Sequence, residues 1–199
     1  MPVRSAERDD LTAIASIHKA QFPTHPLGRF SQDLIAKFYR PYLGRSLFLV
    51  HEGSQGIDGF VLGGNDCQLA DSKSSFIDDN IVQLCRETLY RPRLWPTAFR
   101  SMKSTARRLC LRRNQASKSR NSATCHLLSI AVDKDRAGTG IAGELMDAFE
   151  QALRGSVTEY CLSVRKENLR AIRFYQKRAC EIIDDDGIEF TMRLKVPSE

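Results

Sequence analysis

The spacing of apolar residues changes several times along the chain, and each change predicts an element. Residues 2–4 are long enough only for an edge strand. From Asp9 or Asp10 onward, Leu11, Ile14, Ala15, Ile17 and His18 recur three and four apart, which predicts a helix with acids suited to its N-terminal dipole. Phe22-Pro23 ends it, 23–28 is a loop, and a second helix is expected over 31–39 with Ser31 as N-cap. Two apolar runs, 47–50 and 59–62, flank the turn-rich EGSQGID and read as a hairpin with a long turn. Residues 65–122 differ from both flanks and predict two helices, about 76–90 and 94–113, followed by the polar run NQASKSRNS. In the second of these, Trp95, Ala98, Phe99, Met102, Ala106 and Leu109 form one stripe with basic residues around it. The last third alternates strand and helix. A continuous apolar strand spans 126–132, and a helix over 141–153 aligns Leu145, Phe149 and Leu153 on one face. A strand follows at 160–164, a helix at about 168–177, and paired strands at 181–183 and 188–196 around Asp185-Asp186-Gly187. No internal repeat is visible.

Composition narrows the class. With 199 residues, 42% of them hydrophobic and 27% charged, the chain matches an ordinary soluble globular protein and can bury a sizeable core. No apolar run approaches the ~18 residues that cross a bilayer, and the first residues lack the apolar stretch of a signal peptide, so the cytoplasm is expected. The 6 cysteines lie at least 15 residues apart, which gives no metal knuckle; they read as small buried hydrophobes, and no metal site is expected. The net charge of +6 is uneven. Residues 86–120 hold eleven Lys/Arg against Glu87 alone, so this segment carries +10 and the rest of the chain −4. No aromatic ladder accompanies that charge, so it does not point to nucleic acid. It suits solvated arginines on a covering helix, or attraction of an anionic acceptor.

The most informative stretch is LLSIAVDKDRAGTGIAGELM, residues 127–146. A buried strand ends at Val132, and a loop with Gly138, Gly140 and Gly143 leads into an amphipathic helix. Glycine lets backbone amides approach a ligand, and the first helical turn adds unpaired N–H groups at a positive dipole end. Together these predict a pyrophosphate cradle. The chain has no GxxxxGK[ST], so a P-loop is excluded. GTGIAG loosely matches the dinucleotide GxGxxG, but the closing hairpin and the mixed earlier region fit that fold poorly.

The run SIAVDKDRAGTGIAGELM resembles motif A of the GNAT acetyltransferases, V-x-P-x-x-[QR]-x-x-G-x-[GA] followed by a helix. Val132 falls on the consensus Val, and Gly140 and Ala142 on its G-x-[GA]; Ala137 occupies the Gln/Arg position, with Arg136 one residue early, and Lys134 replaces the proline. LSVRKENLRAIRFYQKRACEI resembles the family's motif B, N-x-x-A-x-x-F-Y-x-K, through Asn168, Ala171, Phe174, Tyr175 and Lys177; Ala179-Cys180 stands where Gly-Phe is usual, a departure read as local packing. The resemblance covers 123–196 well, 1–64 loosely and the basic insert not at all. It implies an α/β fold in one domain over 1–199: a mixed, mostly antiparallel sheet of six or seven strands flanked by helices, with 65–122 as a helical insert between the third and fourth strands.

It also implies an N-acetyltransferase that uses acetyl-CoA as co-substrate and a small amine as acceptor. Ile130, Ala131 and Val132 would pair with the pantetheine arm, and the amides of Ala137, Gly138, Thr139, Gly140, Ile141, Ala142 and Gly143 would hold the pyrophosphate. Asn168 would bond the cofactor arm, and Tyr175 would stand near the thioester sulfur as general acid. Many relatives carry a Glu on the strand before the cradle; here His126 could take the proton, directly or through a water with Ser129. Phe22 and His25 lie where the family places its first acceptor-binding loop.

The acceptor class follows from proton availability. A lysine-like amine is neutral about 0.04% of the time at pH 7 and an α-amino group about 10%, a gap of roughly 250-fold. Without a strand carboxylate the easier nucleophile is favoured, and the basic insert tilts the expectation towards a phosphate-bearing one: an amino sugar or nucleotide-linked amino sugar. A peptide N-terminus, an aminoacyl-tRNA, or a non-catalytic acyl-CoA-binding module remain alternatives, and the oligomeric state stays open, a homodimer included.

Overall fold

The structure is a computed structural model that describes residues 2–89 and 125–196. Chain order runs β1 (Val3–Ser5), α1 (Leu11–Gln21), α2 (Gln32–Tyr39), β2 (Leu47–Gly53), β3 (Gly56–Asn65) and α3 (Asp66–Leu89). Then follow β4 (Cys125–Val132), α4 (Ile141–Leu153), β5 (Glu159–Arg165), α5 (Leu169–Lys177), β6 (Glu181–Asp185) and β7 (Glu189–Lys195). The described strands form one 7-stranded sheet in the order β1-β2-β3-β4-β5-β7-β6. Every pairing is antiparallel except β4 with β5. This is the mixed, mostly antiparallel architecture expected from the sequence.

Two cores cover the two faces. Leu11, Ile14 and Ile17 of α1 and Ile35 and Tyr39 of α2 pack on Phe48, Val50, Phe60 and Leu62. Leu145, Met146, Phe149 and Leu153 of α4 meet Val61, Leu127, Leu162 and Met192 on the opposite face. The helix spacings of three and four place each set on one stripe. A Cβ on Gly63 would lie 2.6 Å from the Phe149 ring, so α4 seats against β3 only because that position is bare. Ser31 caps α2 as expected, its Oγ accepting from the Leu34 amide at 3.3 Å.

Two expectations are corrected. EGSQGID is not a long turn: Glu52 pairs with Ile57 and Gly53 with Gly56, leaving only Ser54 and Gln55 between the strands. A register shift at His51/Glu52 lets these polar residues continue the ladder, which hid the strand from an apolar pattern. The helix expected at 76–90 starts at Asp66, with Asn65 Oδ1 accepting from the Gln68 amide at 2.9 Å, and kinks at Asn80. Its first ten residues bury little beyond Ser72 and so carry no apolar period. The helix expected at 94–113, and most of the basic segment, lie outside the described residues.

Ala179 stands at a position whose backbone favours glycine. Cys180 N–H bonds Tyr175 C=O at 3.0 Å and Ala179 N–H bonds Gln176 C=O at 3.0 Å, the double bond of a Schellman cap. The cap requires a left-handed residue, and Ala179 supplies it at φ 61. Ala179→Gly should relieve that strain and stabilise the protein by about 1 kcal/mol; a thermal melt with no rise would contradict it.

Candidate active site

β4 and β5 pair at three positions only, Cys125–Leu127 against Tyr160–Leu162. β4 then continues along β3 to Val132, while β5 follows β7 to Arg165. Beyond Leu127 the two strands therefore diverge, and backbone groups on the facing edge of β4 have no strand partner among the described residues. A register shift between Leu62 and Gly63 leaves Leu128 as an extra residue where the divergence begins. Ile130, Ala131 and Val132, expected to meet a pantetheine arm, all lie in the divergent stretch. Gln21 Nε2 at the end of α1 donates to the Val132 carbonyl at 2.6 Å, fixing the strand's far end.

The gap opens onto the loop that precedes α4. Asp133 Oδ1 accepts from the Asp135 amide at 2.9 Å, and Thr139 Oγ1 donates to the Arg136 carbonyl at 2.7 Å. Gly138 and Gly140 adopt φ of +85 and +93, with open space where a Cβ would project. Gly140 is also the N-cap of α4. The seven amides expected to form the cradle divide into two sets. Those of Ala137, Thr139 and Gly143 are taken by Lys134, Arg136 and Gly140 carbonyls. Among the described residues, those of Gly138, Gly140, Ile141 and Ala142 are left to a ligand, at the positive end of the α4 dipole.

Arg136 does not add its charge to that cradle. Its Nε lies 3.3 Å from Asp58 Oδ1 on β3, whose other oxygen is 3.5 Å from His51 Nδ1. The Asp58 carbonyl accepts from the Asp133 amide at 2.7 Å, so β3 braces the loop from behind.

α5 brings the motif B residues alongside. Asn168 Oδ1 accepts from the Ala171 amide at 3.1 Å, capping α5 and leaving the exposed Nδ2 as a donor. Tyr175 is 7% exposed within the α4–α5 core. Burial, with Cys180 beside it, pushes its hydroxyl well above the usual tyrosine range, so it is a protonated donor at neutral pH.

His126 sits inside the three-residue seam, opposite Cys161 and Gly64, with Nε2 3.2 Å from Asp66 Oδ1. Register places it on the same face as Ser129, since Gly64 and Leu62 are their cross-strand partners. That face carries α1 and α2 and the loop after α1. There His18 stacks with Phe22 (ring centroids 4.8 Å apart) and with His25 (6.2 Å). Burial, with a smaller contribution from Arg165 at the end of β5, holds His25 below its ordinary value. Phe22 and His25 lie together in this loop, their ring centroids 6.4 Å apart.

Spacing along the chain gave no signal for one further set. Tyr39 Oη donates to Ser129 Oγ at 3.3 Å, and His18 Nδ1 is 2.7 Å from the same Tyr39 oxygen. These residues lie 21 and 90 positions apart, so only the fold brings them together. No group of three or more metal-ligating side chains occurs among the described residues, and no helix there is long and apolar enough to cross a membrane.

Residues 108–179 match the model of the acetyltransferase (GNAT) family. Comparison with curated proteins finds no match. Among solved structures, the chain is similar to an N-acetyltransferase from Staphylococcus aureus Mu50, with a TM-score of 0.65, 16% identity, and 98% of this chain and 99% of that one covered. It is also similar to Ard1 from Thermoplasma volcanium, with a TM-score of 0.58, 20% identity, and 98% and 97% covered. The PaiA N-acetyltransferase from Thermoplasma acidophilum, solved in complex with coenzyme A, aligns with a TM-score of 0.56, 14% identity, and 97% of each chain covered. The matched segment holds the divergent strand, the glycine loop and all of α5, and the fold is shared over nearly the whole length: residues 108–179 carry a GNAT acetyltransferase domain, set in the fold of these N-acetyltransferases.

Proposed function

We propose that this protein transfers an acetyl group from acetyl-CoA to the primary amine of a small, phosphate-bearing acceptor, an amino sugar or nucleotide-linked amino sugar, by direct attack in a ternary complex. The observation that carries the reading is the β4–β5 gap running into four unpaired amides at the start of α4. Acetyl-CoA supplies the activated acyl group as a thioester. The amides of Gly138, Gly140, Ile141 and Ala142 hold its pyrophosphate, the edge at 130–132 pairs with its pantetheine amides, and Asn168 Nδ2 donates to the same arm. His126, oriented by Asp66, takes the amine's proton; Phe22 and His25 border the acceptor. All 199 residues act as one acetyltransferase domain, with 65–122 as its insert. The five described cysteines are free thiols, which suits a cytoplasmic protein.

Tyr175 faces a limit set by magnitude. A thiol near 8.5 is already a weaker base than an ordinary phenolate near 10, and burial widens that gap. Tyr175 therefore donates a hydrogen bond that strengthens as charge builds on sulfur, without full transfer. Tyr175→Phe should lower turnover roughly 10- to 100-fold and leave acetyl-CoA affinity within about threefold. Unchanged turnover would reduce Tyr175 to packing.

Calorimetry with acetyl-CoA, followed by CoA release across an amine panel, tests the whole reading. Absence of binding at millimolar acetyl-CoA would sink it. Binding without release from any amine would identify a sensor, and peptide N-termini or aminoacyl-tRNA as best acceptors would replace the amino sugar. Salt-dependent binding of RNA without acetyl-CoA binding would mark a nucleic-acid module on the same fold.

A further inference from the structure

The geometry points to Ser129 as the hydroxyl that receives the acceptor amine, held in register by Tyr39 and, behind it, His18; this rests on the acetyltransferase reading above. Ser129 is the first residue after the Leu128 bulge, where β4 has just parted from β5. Its side chain lies on the face that carries α1, α2 and the Phe22–His25 loop.

The support behind it is buried and rigid. Tyr39 is 0% exposed, with ring centroids 5.2 Å from Phe38, 5.6 Å from Phe48 and 5.3 Å from Phe60. Those rings fix where its hydroxyl oxygen sits. With the Tyr39 hydroxyl hydrogen given to Ser129 Oγ, the 2.7 Å contact to His18 must be an Nδ1–H donating to Tyr39. His18 is 4% exposed, its Nε2 has no partner among the described residues, and burial holds it neutral, down to about 3. His18, Tyr39 and Ser129 thus form one continuous chain of hydrogen bonds that ends at the Ser129 hydroxyl. Burying two polar side chains costs desolvation, and here the cost secures one hydroxyl at the mouth of the gap.

A serine that accepts from Tyr39 keeps one lone pair and its own hydrogen. The lone pair accepts an N–H of the incoming amine and turns the nitrogen lone pair towards the acyl carbon; no proton changes hands in this contact. Tyr39 and His18 are positioning residues that act through Ser129.

The test uses steady-state kinetics of the full chain with acetyl-CoA and two probes, an amino-sugar phosphate and a tripeptide, alongside melting temperatures. Ser129→Ala should lower kcat/KM for the amine about tenfold, the value of one hydrogen bond, with KM for acetyl-CoA unchanged. Ser129→Thr should retain activity within about threefold, because the hydroxyl survives. Tyr39→Phe should fall between the two; if it fails to fold, the two Ser129 variants decide the matter. Ser129→Ala matching wild type, or Ser129→Thr as poor as Ser129→Ala, overturns this inference alone. Wild type that releases no CoA with either probe overturns it together with the acetyltransferase reading.

Discussion

Gly140→Asp is expected to weaken acetyl-CoA binding about a hundredfold or more while destabilising the fold by only about 1 kcal/mol. The two effects differ in size and have separate causes. Gly140 sits left-handed at φ +93 as the N-cap of α4. Any side chain is strained at that φ, and aspartate, which tolerates a positive φ better than most residues, costs the fold on the order of 1 kcal/mol there. Its carboxylate would stand beside the unpaired amides of Ile141 and Ala142, in the place of the pyrophosphate. Two like charges about 4 Å apart repel by about 4 kcal/mol at an effective dielectric of 20, which accounts for the lost binding. Calorimetry and a thermal melt on the same sample check both halves. Unaltered affinity would mean that the pyrophosphate lies elsewhere.

Arg178→Ala should destabilise the fold by about 3–5 kcal/mol, the largest stability effect expected of any single substitution here. Glu150 on α4 is only 7% exposed. Tyr160 Oη donates to its Oε1 at 2.9 Å, and Arg178 Nη2 donates to its Oε2 at 3.0 Å while also bonding Asp147 Oδ1 at 2.6 Å. Removing Arg178 leaves a buried carboxylate uncompensated, and the same carboxylate already helps burial push the Cys180 thiol up to about 11. Urea unfolding measures the loss. Arg178→Met combined with Glu150→Gln removes both charges and should recover most of it; if the double variant is no better than the single, the loss arises from packing.

The elements legible in the sequence were those whose burial leaves a period. α1 and α4 each bury one stripe, and Ser31 announced α2 by its chemistry as well as its position. What escaped was polar yet ordered: the strand residues of EGSQGID, paired by backbone alone, and the first turns of α3, which bury too little to mark a face. The cradle was legible because its glycines and the helix behind them are contiguous. The division of its amides into tied and free sets was not, since it depends on where each carbonyl turns. Arg136 illustrates the same limit, because its partner Asp58 belongs to a strand 78 residues earlier. Ala179 showed a missing glycine but not the left-handed backbone that makes the substitution strained.

The narrow seam between β4 and β5 ties the fate of the protein to its surroundings. Three residue pairs join a leaf of four strands to a leaf of three, and α4 bridges them with Phe149 and Leu153. Under the proposed function, a cofactor lying in the gap would supply the hydrogen bonds that a longer β5 would have made, as an added, removable strand. At a hundredfold excess over its dissociation constant such a ligand adds about 2.7 kcal/mol to the folded state. Local opening of the seam would then fall as acetyl-CoA is added, which limited proteolysis with and without acetyl-CoA reads.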